Sequence, residues 1–181
     1  LRPQVDSFHW NDAADVLVAA ADGRLLTWHC PNAAYVDKAL LALCTTSRPA
    51  PEMGAAPRIL SFSGARVTAR RADGAVVSAG AAPYPAMLHA LAGAGKWREV
   101  QRLCRFVKGQ PLWAAAAAMA IAGRELAVAE EALAAIQEVD KLEYIRGVQE
   151  LPSEESRSAA LALYRRCPDE AEAILLQALP P

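Results

Sequence analysis

A chain of 181 residues can form one domain or two small ones, and its hydrophobic content of 54% is ample for a buried core. With 19 basic and 20 acidic residues the formal net charge is -1, which excludes a global field that would attract nucleic acid or an anionic membrane. Four widely spaced cysteines without a CxxC pair argue against a zinc site, a redox motif or a disulfide framework, and they favour a reducing, intracellular compartment.

The first part of the chain, from Val5 to Ala79, consists of short apolar or alternating runs separated by turn dipeptides, a pattern typical of β-strands. Residues 16–20 and 24–28 flank Asp22-Gly23, which predicts a tight hairpin because glycine adopts positive φ without strain. These runs form the first predicted strand group.

A second strand group follows the same pattern further along the chain. Residues 66–70 and 75–78 flank Asp73-Gly74, and residues 59–62 form one strand earlier. Between the two groups, residues 31–57 are rich in proline and alanine, and they predict a short helix over residues 36–43 followed by a loop. We interpret this insertion as a connection between two propeller blades.

The strand region is too short to form a closed β-propeller. About six strands of this length cannot make four to eight four-stranded blades, so either the other blades are missing or the region is a small open sheet. The chain begins at Leu1 and ends at Leu179-Pro180-Pro181 directly after a helical pattern. We therefore interpret the sequence as a piece of a longer protein.

The periodicity changes from two to 3.6 residues after Pro83-Tyr84-Pro85, and we place a domain boundary there, between residues 1–82 and 83–181. Glycines and first-turn prolines punctuate the helices, and Ser153 is a predicted N-cap. The predicted helices span residues 86–92, 96–108, 111–122, 125–137, 140–150, 154–166 and 168–178. Helix pairs repeat near Lys96, Arg124 and Ser153, which is close to the period of tetratricopeptide-like solenoids.

No phosphate loop, metalloprotease motif, nucleophile elbow or calcium loop occurs in the sequence. His29 and Cys30 are adjacent and lack a third ligand nearby, so a surface or packed strand end is the better interpretation than a reactive site. His9 and His89 are isolated and are interpreted as structural histidines. No cofactor, no metal site and no catalytic residue is predicted.

The candidate partner-binding residues are Arg98, Arg102 and Arg105, a basic stripe on the helix over residues 96–108. The competing interpretation is a solvated helix face, or charge pairing with an acidic helix carrying Glu125, Glu130, Glu131 and Glu138. This stripe and a second basic cluster at Arg66, Arg70 and Arg71 lack the interleaved aromatic residues typical of nucleic-acid binding. Four aromatic residues are predicted to pack between helices rather than to anchor an interface: Trp97, Phe106, Trp113 and Tyr144.

Several longer segments carry a family resemblance. They comprise residues 8–12, 31–32, 35–37, 67–74, 83–86, 102–108, 112–114, 136–141, 151–153 and 171–178. In these segments the chain resembles the intraflagellar transport protein 80 family, WD-repeat subunits of the intraflagellar transport B complex. Departures from the family pattern are His29 after Trp28 in place of the usual Asp, the stretch over residues 48–57, and the end at Leu179-Pro180-Pro181.

The resemblance implies a mixed fold of β followed by α, with the last blades of a WD-repeat β-propeller leading into a tetratricopeptide-like α-helical solenoid. It implies a non-enzymatic scaffold that supports anterograde transport and cilium assembly. The implied location is the cilium or flagellum, at the axoneme and basal body, with a cytoplasmic pool. The implied partners are other intraflagellar transport B subunits, without nucleic acid or direct membrane insertion, and self-association is left open.

Two other function classes remain open at this point. The first is an enzyme or cofactor-binding protein that uses the strands as a small barrel, with His29 and Cys30 as reactive groups. The second is a scaffold of the vesicle-coat or nuclear-pore type, which also joins propellers to helical solenoids. Only the family-specific segments distinguish the second class from the transport scaffold.

Overall fold

The computed structural model describes residues 5–178, in which seven strands, with two short α-helices inserted among them, are followed by seven longer α-helices. The chain ends discussed above, Leu1 and Leu179-Pro180-Pro181, lie outside the described residues. The described part forms a partial propeller followed by a tetratricopeptide-like solenoid, which confirms the predicted fold class.

The first sheet is a four-stranded antiparallel meander with the order expected of a propeller blade. Its hairpin at Asp22-Gly23 pairs Ala21 with Arg24, and both turn residues adopt positive φ, 49° and 71°. The predicted tight turn is therefore confirmed. The strands are β1 (Val5–Trp10), β2 (Val16–Ala21), β3 (Arg24–His29) and β4 (Thr45–Pro49).

The second sheet has three antiparallel strands, β5 (Arg58–Ser63), β6 (Arg66–Arg70) and β7 (Val76–Gly80). It lies beside the first sheet, with β5 next to β1, and side chains join the two strands. The Ser7 hydroxyl donates to the Pro57 carbonyl at 2.6 Å, and its oxygen accepts from the Ile59 amide at 2.9 Å. Buried apolar residues between the sheets form their common core, including Val18, Leu25 and Phe62.

The insertion between β3 and β4 differs from the prediction in two respects. Its helical part divides into α1 (Pro31–Ala34) and α2 (Lys38–Leu43), and the predicted loop after it is a strand, β4. Trp28 pairs with Thr45, so the chain returns to the first sheet as β4, and only the residues after β4 lead on to β5 of the second sheet; residues 31–57 as a whole thus connect the two sheets, as predicted. The loop prediction was wrong because the proline- and threonine-containing run of β4 has little apolar character of its own and gains its order by pairing with β3.

All seven predicted long helices are confirmed, with ends that differ by at most two residues. They are α3 (Tyr84–Gly93), α4 (Trp97–Val107), α5 (Gln110–Ala122), α6 (Leu126–Ala135), α7 (Val139–Glu150), α8 (Glu154–Tyr164) and α9 (Pro168–Ala178). The predicted cap at Ser153 is present, since its hydroxyl accepts a hydrogen bond from the Ser156 amide at 3.1 Å.

The central helix of the stack is α5, which packs against α1, α2, α3, α4 and α6. Its alanines, residues 114–118, are almost completely buried. Small side chains allow neighbouring helix axes to approach closely, so one alanine-rich helix can be surrounded on most sides. The longest apolar run of the sequence is therefore the middle of a solenoid core.

Four of the helix ends share one turn geometry. After α3, α5, α6 and α8, a residue with positive φ is followed by an amide that donates to the carbonyl five residues earlier in the helix, as in Lys96 to Leu91 and Glu125 to Ala120. This is the Schellman arrangement, in which glycine is the favoured residue because it lacks a Cβ. The positive-φ positions are Gly95, Arg124, Gln137 and Arg166.

Helices α1 and α2 belong to the helical core although they are inserted into a sheet. Cys30, Ala34, Leu40 and Cys44 are buried in the same apolar cluster as α5. The strand region is thus attached to the solenoid through its own insertion as well as through the short connection before α3. The division into residues 1–82 and 83–181 remains a prediction.

Candidate protein-interaction site

The three predicted partner-binding arginines all lie on the surface of α4. Arg98 and Arg102 are exposed, and Arg102 is 3.7 Å from the Glu99 carboxylate on the same helix. Arg105 lies one turn on and forms an ion pair of 2.7 Å with Glu131 of α6. The structure therefore shows the predicted charge pairing with the acidic helix for Arg105, while partner binding by the stripe stays a prediction.

Phe106 corrects one prediction about the aromatic residues. It was expected between helices, but 76% of its surface is exposed. Helical geometry gives the reason, since Phe106 follows Arg98 and Arg102 at spacings of four residues and so shares their outward face. Trp97 and Trp113 do pack against the helical core, as predicted.

Tyr144 is partly exposed and contributes to packing at the end of the stack. Its ring centroid lies 5.6 Å from that of Tyr164, and its hydroxyl donates to the Ala160 carbonyl at 2.8 Å. Burial raises the pKa of its phenol. The predicted role between helices is thus realised through one neighbouring ring and one backbone bond.

The basic face of α4 adjoins an open groove. The groove has a volume of about 590 Å³ and lies between the α4–α5 turn and the end of α6. Arg105 and Lys108 supply its positive charge, Gln110 and Gln137 supply amides, and Trp113 forms part of its floor. Among the described residues that line it, none carries a carboxylate.

His29 and Cys30, the only pair considered for reactivity, are packed in the interior. Burial lowers the pKa of His29 to about 4, and its Nδ1 makes no hydrogen bond within the described residues. Burial, with smaller effects from Asp15 and Cys44, raises the pKa of the Cys30 thiol well above its usual range. A neutral imidazole and an inaccessible, protonated thiol fit the predicted packed strand end and do not form a nucleophilic pair.

The other histidines and cysteines are separate from one another. His9 is exposed beside the Trp10 carbonyl, and His89 is half-buried on α3. Burial raises the pKa of Cys44 and of Cys104 to about 12, whereas Cys167 is exposed. Across residues 5–178, no three metal-ligating side chains of the His, Cys, Asp and Glu types come together.

Polar and apolar side-chain contacts together attach the strand region to the helices. We call this attachment the α2 joint and define it by Asp37, Leu40, Lys141 and Tyr164. The Asp37 carboxylate caps α2, accepting from the Ala39 and Leu40 amides at 3.0 and 3.1 Å. The Tyr164 hydroxyl donates to the other carboxylate oxygen at 3.0 Å, and the Lys141 ammonium lies 3.4 Å from it.

The electrostatics of the α2 joint favour the ionised form of Asp37. Burial alone would raise the pKa of this carboxyl, but the Leu40 amide, the Lys141 charge and the Tyr164 hydroxyl together lower it. The pKa of Lys141 is raised in turn: burial opposes the shift, and Glu138 and Asp37 outweigh it. Burial and the Asp37 charge raise the pKa of Tyr164. The joint is therefore held by one charged pair and a protonated phenol.

The α2 joint is closely packed. The space left between Leu40, Ala118 and Tyr164 is about 10 Å³, which is too small for anything beyond a single water molecule. Asp37 and Tyr164 are 127 residues apart in sequence. The arrangement thus fits a mechanical connection between distant parts of the chain and leaves no room for a ligand.

Sequence reasoning missed the α2 joint because its partners are far apart along the chain. The one available signal was Asp37 near the start of the helix predicted over residues 36–43, since aspartate is a typical N-cap residue. A cap position does not reveal that the second carboxylate oxygen of Asp37 faces α7 and α8.

Among the described helices, none has the length and apolar character needed to cross a membrane.

Comparison with known proteins identifies both parts of the chain. A family model described as the IFT80 second beta-propeller matches residues 1–84, and one described as the IFT80/172/WDR35/WDR19 TPR domain matches residues 112–179. The chain is 45% identical over 178 residues to the intraflagellar transport protein 80 homolog of Rattus norvegicus and 44% identical to that of Mus musculus. These alignments cover 98% of the chain but only 23% of each relative, so the chain spans less than a quarter of their length. With both family models and the relatives in agreement along nearly its whole length, the chain belongs to the intraflagellar transport protein 80 family.

Proposed function

We propose that this chain is a structural scaffold segment of an intraflagellar transport B complex, which supports anterograde transport and cilium assembly through protein contacts. Its partners are other subunits of that complex, and its place is the axoneme and basal body of a cilium or flagellum, with a cytoplasmic pool. The family match favours this function over a vesicle-coat or nuclear-pore scaffold, which the fold alone would serve equally well.

The observation that carries the proposal is the α2 joint. Leu40 places the strand region in the helical core, and Asp37 bonds to Tyr164 and Lys141 from helices late in the stack. Relative motion between packed elements is the default unless their interface is large and apolar. A propeller and a solenoid connected in this way keep a fixed arrangement relative to each other, as a scaffold within a transport assembly requires.

A non-enzymatic role is part of the same proposal. The pair once considered reactive, His29 and Cys30, is buried, with the histidine neutral and the thiol protonated at physiological pH. The proposal also includes contact with partners through Arg98, Arg102 and Arg105, no nucleic-acid ligand and no direct membrane insertion, and it leaves self-association open. We retain the division into residues 1–82 and 83–181, with α1 and α2 bound to the second part.

The experiment tests whether the α2 joint matters in the assembled protein. The double substitution Leu40→Ala and Asp37→Ala is introduced into the full-length protein and expressed in ciliated cells that lack the endogenous copy. We expect shortened or absent cilia and reduced co-purification of other transport B subunits, since the joint would no longer hold the propeller to the solenoid.

The matched control is Leu163→Ala with Asp6→Ala, which removes the same groups from exposed positions. Normal cilia and an intact complex with the joint variant, at expression equal to that of the control, would contradict the proposed scaffold role. Short cilia with an intact complex would contradict the proposal that the joint acts through assembly of the transport B complex.

A further inference from the structure

We propose that the exposed face of α4 and its adjoining groove dock an acidic segment of a partner protein, an inference that rests on the proposed scaffold function and specifies one of its contacts. We call this surface the α4 docking face. Its residues are Arg98, Arg102, Arg105, Phe106 and Lys108, together with the groove lined by Gln110, Trp113 and Gln137.

Positive charge is concentrated on α4. The chain as a whole has a formal charge of -1. The thirteen residues 96–108 nevertheless contain only one acidic side chain, Glu99, and five basic ones: Lys96, Arg98, Arg102, Arg105 and Lys108. The Arg102 side chain is 76% exposed, and its distance of 3.7 Å from Glu99 makes their contact a weak surface pair. This cationic surface is therefore available to a ligand of opposite charge.

An exposed aromatic ring lies among these positive charges. Phe106 is the most exposed of the large hydrophobic residues in the described part of the chain. It forms one outward row with Arg98 and Arg102, at successive spacings of four residues. Aromatic and arginine side chains together are the residue types that contribute most to protein interfaces. A partner can therefore bury the ring of Phe106, while the charges of Arg98 and Arg102 orient it.

The open groove beside this row offers further polar contacts. Arg105 and Lys108 can pair with carboxylates, while Gln110 and Gln137 offer amides that match the donors and acceptors of a peptide backbone. Arg105 is held by Glu131 but remains 61% exposed, so it can accept a second carboxylate. The volume of about 590 Å³ is sufficient for several side chains of a bound segment.

The same observations argue against a polyphosphate or lipid ligand. Glu99 and Glu131 offset part of the positive charge of the arginines, which weakens binding of a densely charged phosphate backbone more than binding of a segment whose carboxylates are spaced apart. Stacking on single-stranded nucleic acid uses several aromatic residues, and an interfacial helix needs a broad apolar face, whereas this row offers one ring. A protein segment that alternates acidic and apolar side chains satisfies each feature of the α4 docking face.

The experiment measures binding of the purified chain to a fluorescein-labelled peptide in which glutamates alternate with leucines. The reference probes are a peptide with lysines in place of the glutamates, an oligonucleotide, and vesicles containing phosphatidylserine. We expect saturable binding of the acidic peptide, and an increase in its Kd of about tenfold or more with either Arg102→Glu or Phe106→Ala. Thermal unfolding checks that both variants are folded.

The matched control is Arg66→Glu, which reverses one exposed charge on β6 and changes the net charge equally. We expect this control to change the Kd by less than about twofold, since β6 lies outside the α4 docking face. An equal loss with Arg66→Glu, no loss with Phe106→Ala, or preferential binding of any reference probe would overturn the inference. Such a failure is distinct from failure of the scaffold role, which is scored in cells through the α2 joint.

Discussion

The strand region and the helical region bury their apolar residues in different ways. The two sheets share one small core, and β1 still exposes large side chains such as Phe8, which is 63% exposed. The helices from α3 to α8 form one continuous core around α5, in which five successive alanines are buried. The insertion α1–α2 comes from the first region in sequence but belongs to the second in packing.

This difference shows how a partial propeller can be fixed to a solenoid. A sheet has two faces, and the blade of β1–β4 uses only part of its surface for the sheet core, so its inserted helices remain free to pack elsewhere. The solenoid supplies the missing apolar partner through α5. Side-chain packing therefore connects the two regions at a second place, in addition to residues 81–83, where the backbone passes from β7 to α3.

The largest expected effect comes from the comparison of two buried leucines. Leu40 and Leu25 are each 1% exposed, but Leu40 lies in the helical core and Leu25 in the sheet core. We expect Leu40→Ala and Leu25→Ala each to lower the free energy of unfolding by about 2–5 kcal/mol because each leaves a cavity. Only Leu40→Ala should speed hydrogen exchange in α5, as measured by mass spectrometry.

Leu163→Ala serves as the control for this pair, because Leu163 is 55% exposed. It should change the free energy of unfolding by less than about 1 kcal/mol. Equal acceleration of exchange in α5 by Leu25→Ala would contradict the assignment of the insertion to the helical core alone.

The next effect concerns pH and the buried His29. Its pKa of about 4 in the folded chain lies below the value of about 6.5 expected when unfolded, so the unfolded chain binds more protons between these values. Folding stability should therefore fall as the pH decreases from 7 to 5, by about 2 kcal/mol. Urea unfolding at a series of pH values measures this dependence.

His29→Gln retains a polar group near Thr46 and removes the titration, so its stability should vary less over the same pH range. His9→Gln changes an exposed histidine and should retain the full dependence. A pH dependence unaltered by His29→Gln would show that another group causes it.

A smaller effect is expected at the α2 joint. Asp37→Asn keeps a capping side chain but removes the charge that pairs with Lys141, so it should lower the free energy of unfolding by about 1 kcal/mol. Asp37→Ala should lower it by about 1 kcal/mol more, because the cap is also lost. Since the folded pKa of Asp37 is lowered, its contribution is present above the unfolded value near 4 and fades as the pH falls through the folded value.

Thermal and urea unfolding of both variants at neutral pH, and again below pH 4, measures these contributions. Asp6→Asn at an exposed position of β1 is the control. If Asp37→Asn and Asp6→Asn were equally stable at neutral pH, the charged pair would not contribute to the joint.

The smallest effect has the opposite sign. Arg166 adopts a φ of 60° at the turn after α8, where a side chain carries a conformational cost. Arg166→Gly should raise the free energy of unfolding by about 0.5–1 kcal/mol, whereas Gly95→Ala at the matching turn after α3 should lower it by a similar amount. Two changes of the same sign would contradict a shared turn geometry.

The candidate site could be predicted only in part. The periodicity of α4 placed Arg98, Arg102 and Arg105 on its surface, and the acidic helix was a correct partner for Arg105. Phe106 was assigned to the interior because aromatic residues are usually packed, although its spacing from Arg102 places it on the outward face. The groove was not predictable, since it is formed by three helix ends brought together by packing.

The sequence by itself determined the order of the strands and helices with the exception of β4, since turn dipeptides, helix caps and the change of period near Pro83 are local signals. The tertiary structure alone decided that residues 45–49 pair as β4, that the insertion joins the helical core, and that Asp37 meets Tyr164. Local patterns report the preferences of neighbouring residues. Contacts between residues far apart in sequence depend on which surfaces remain unburied once those local elements have formed.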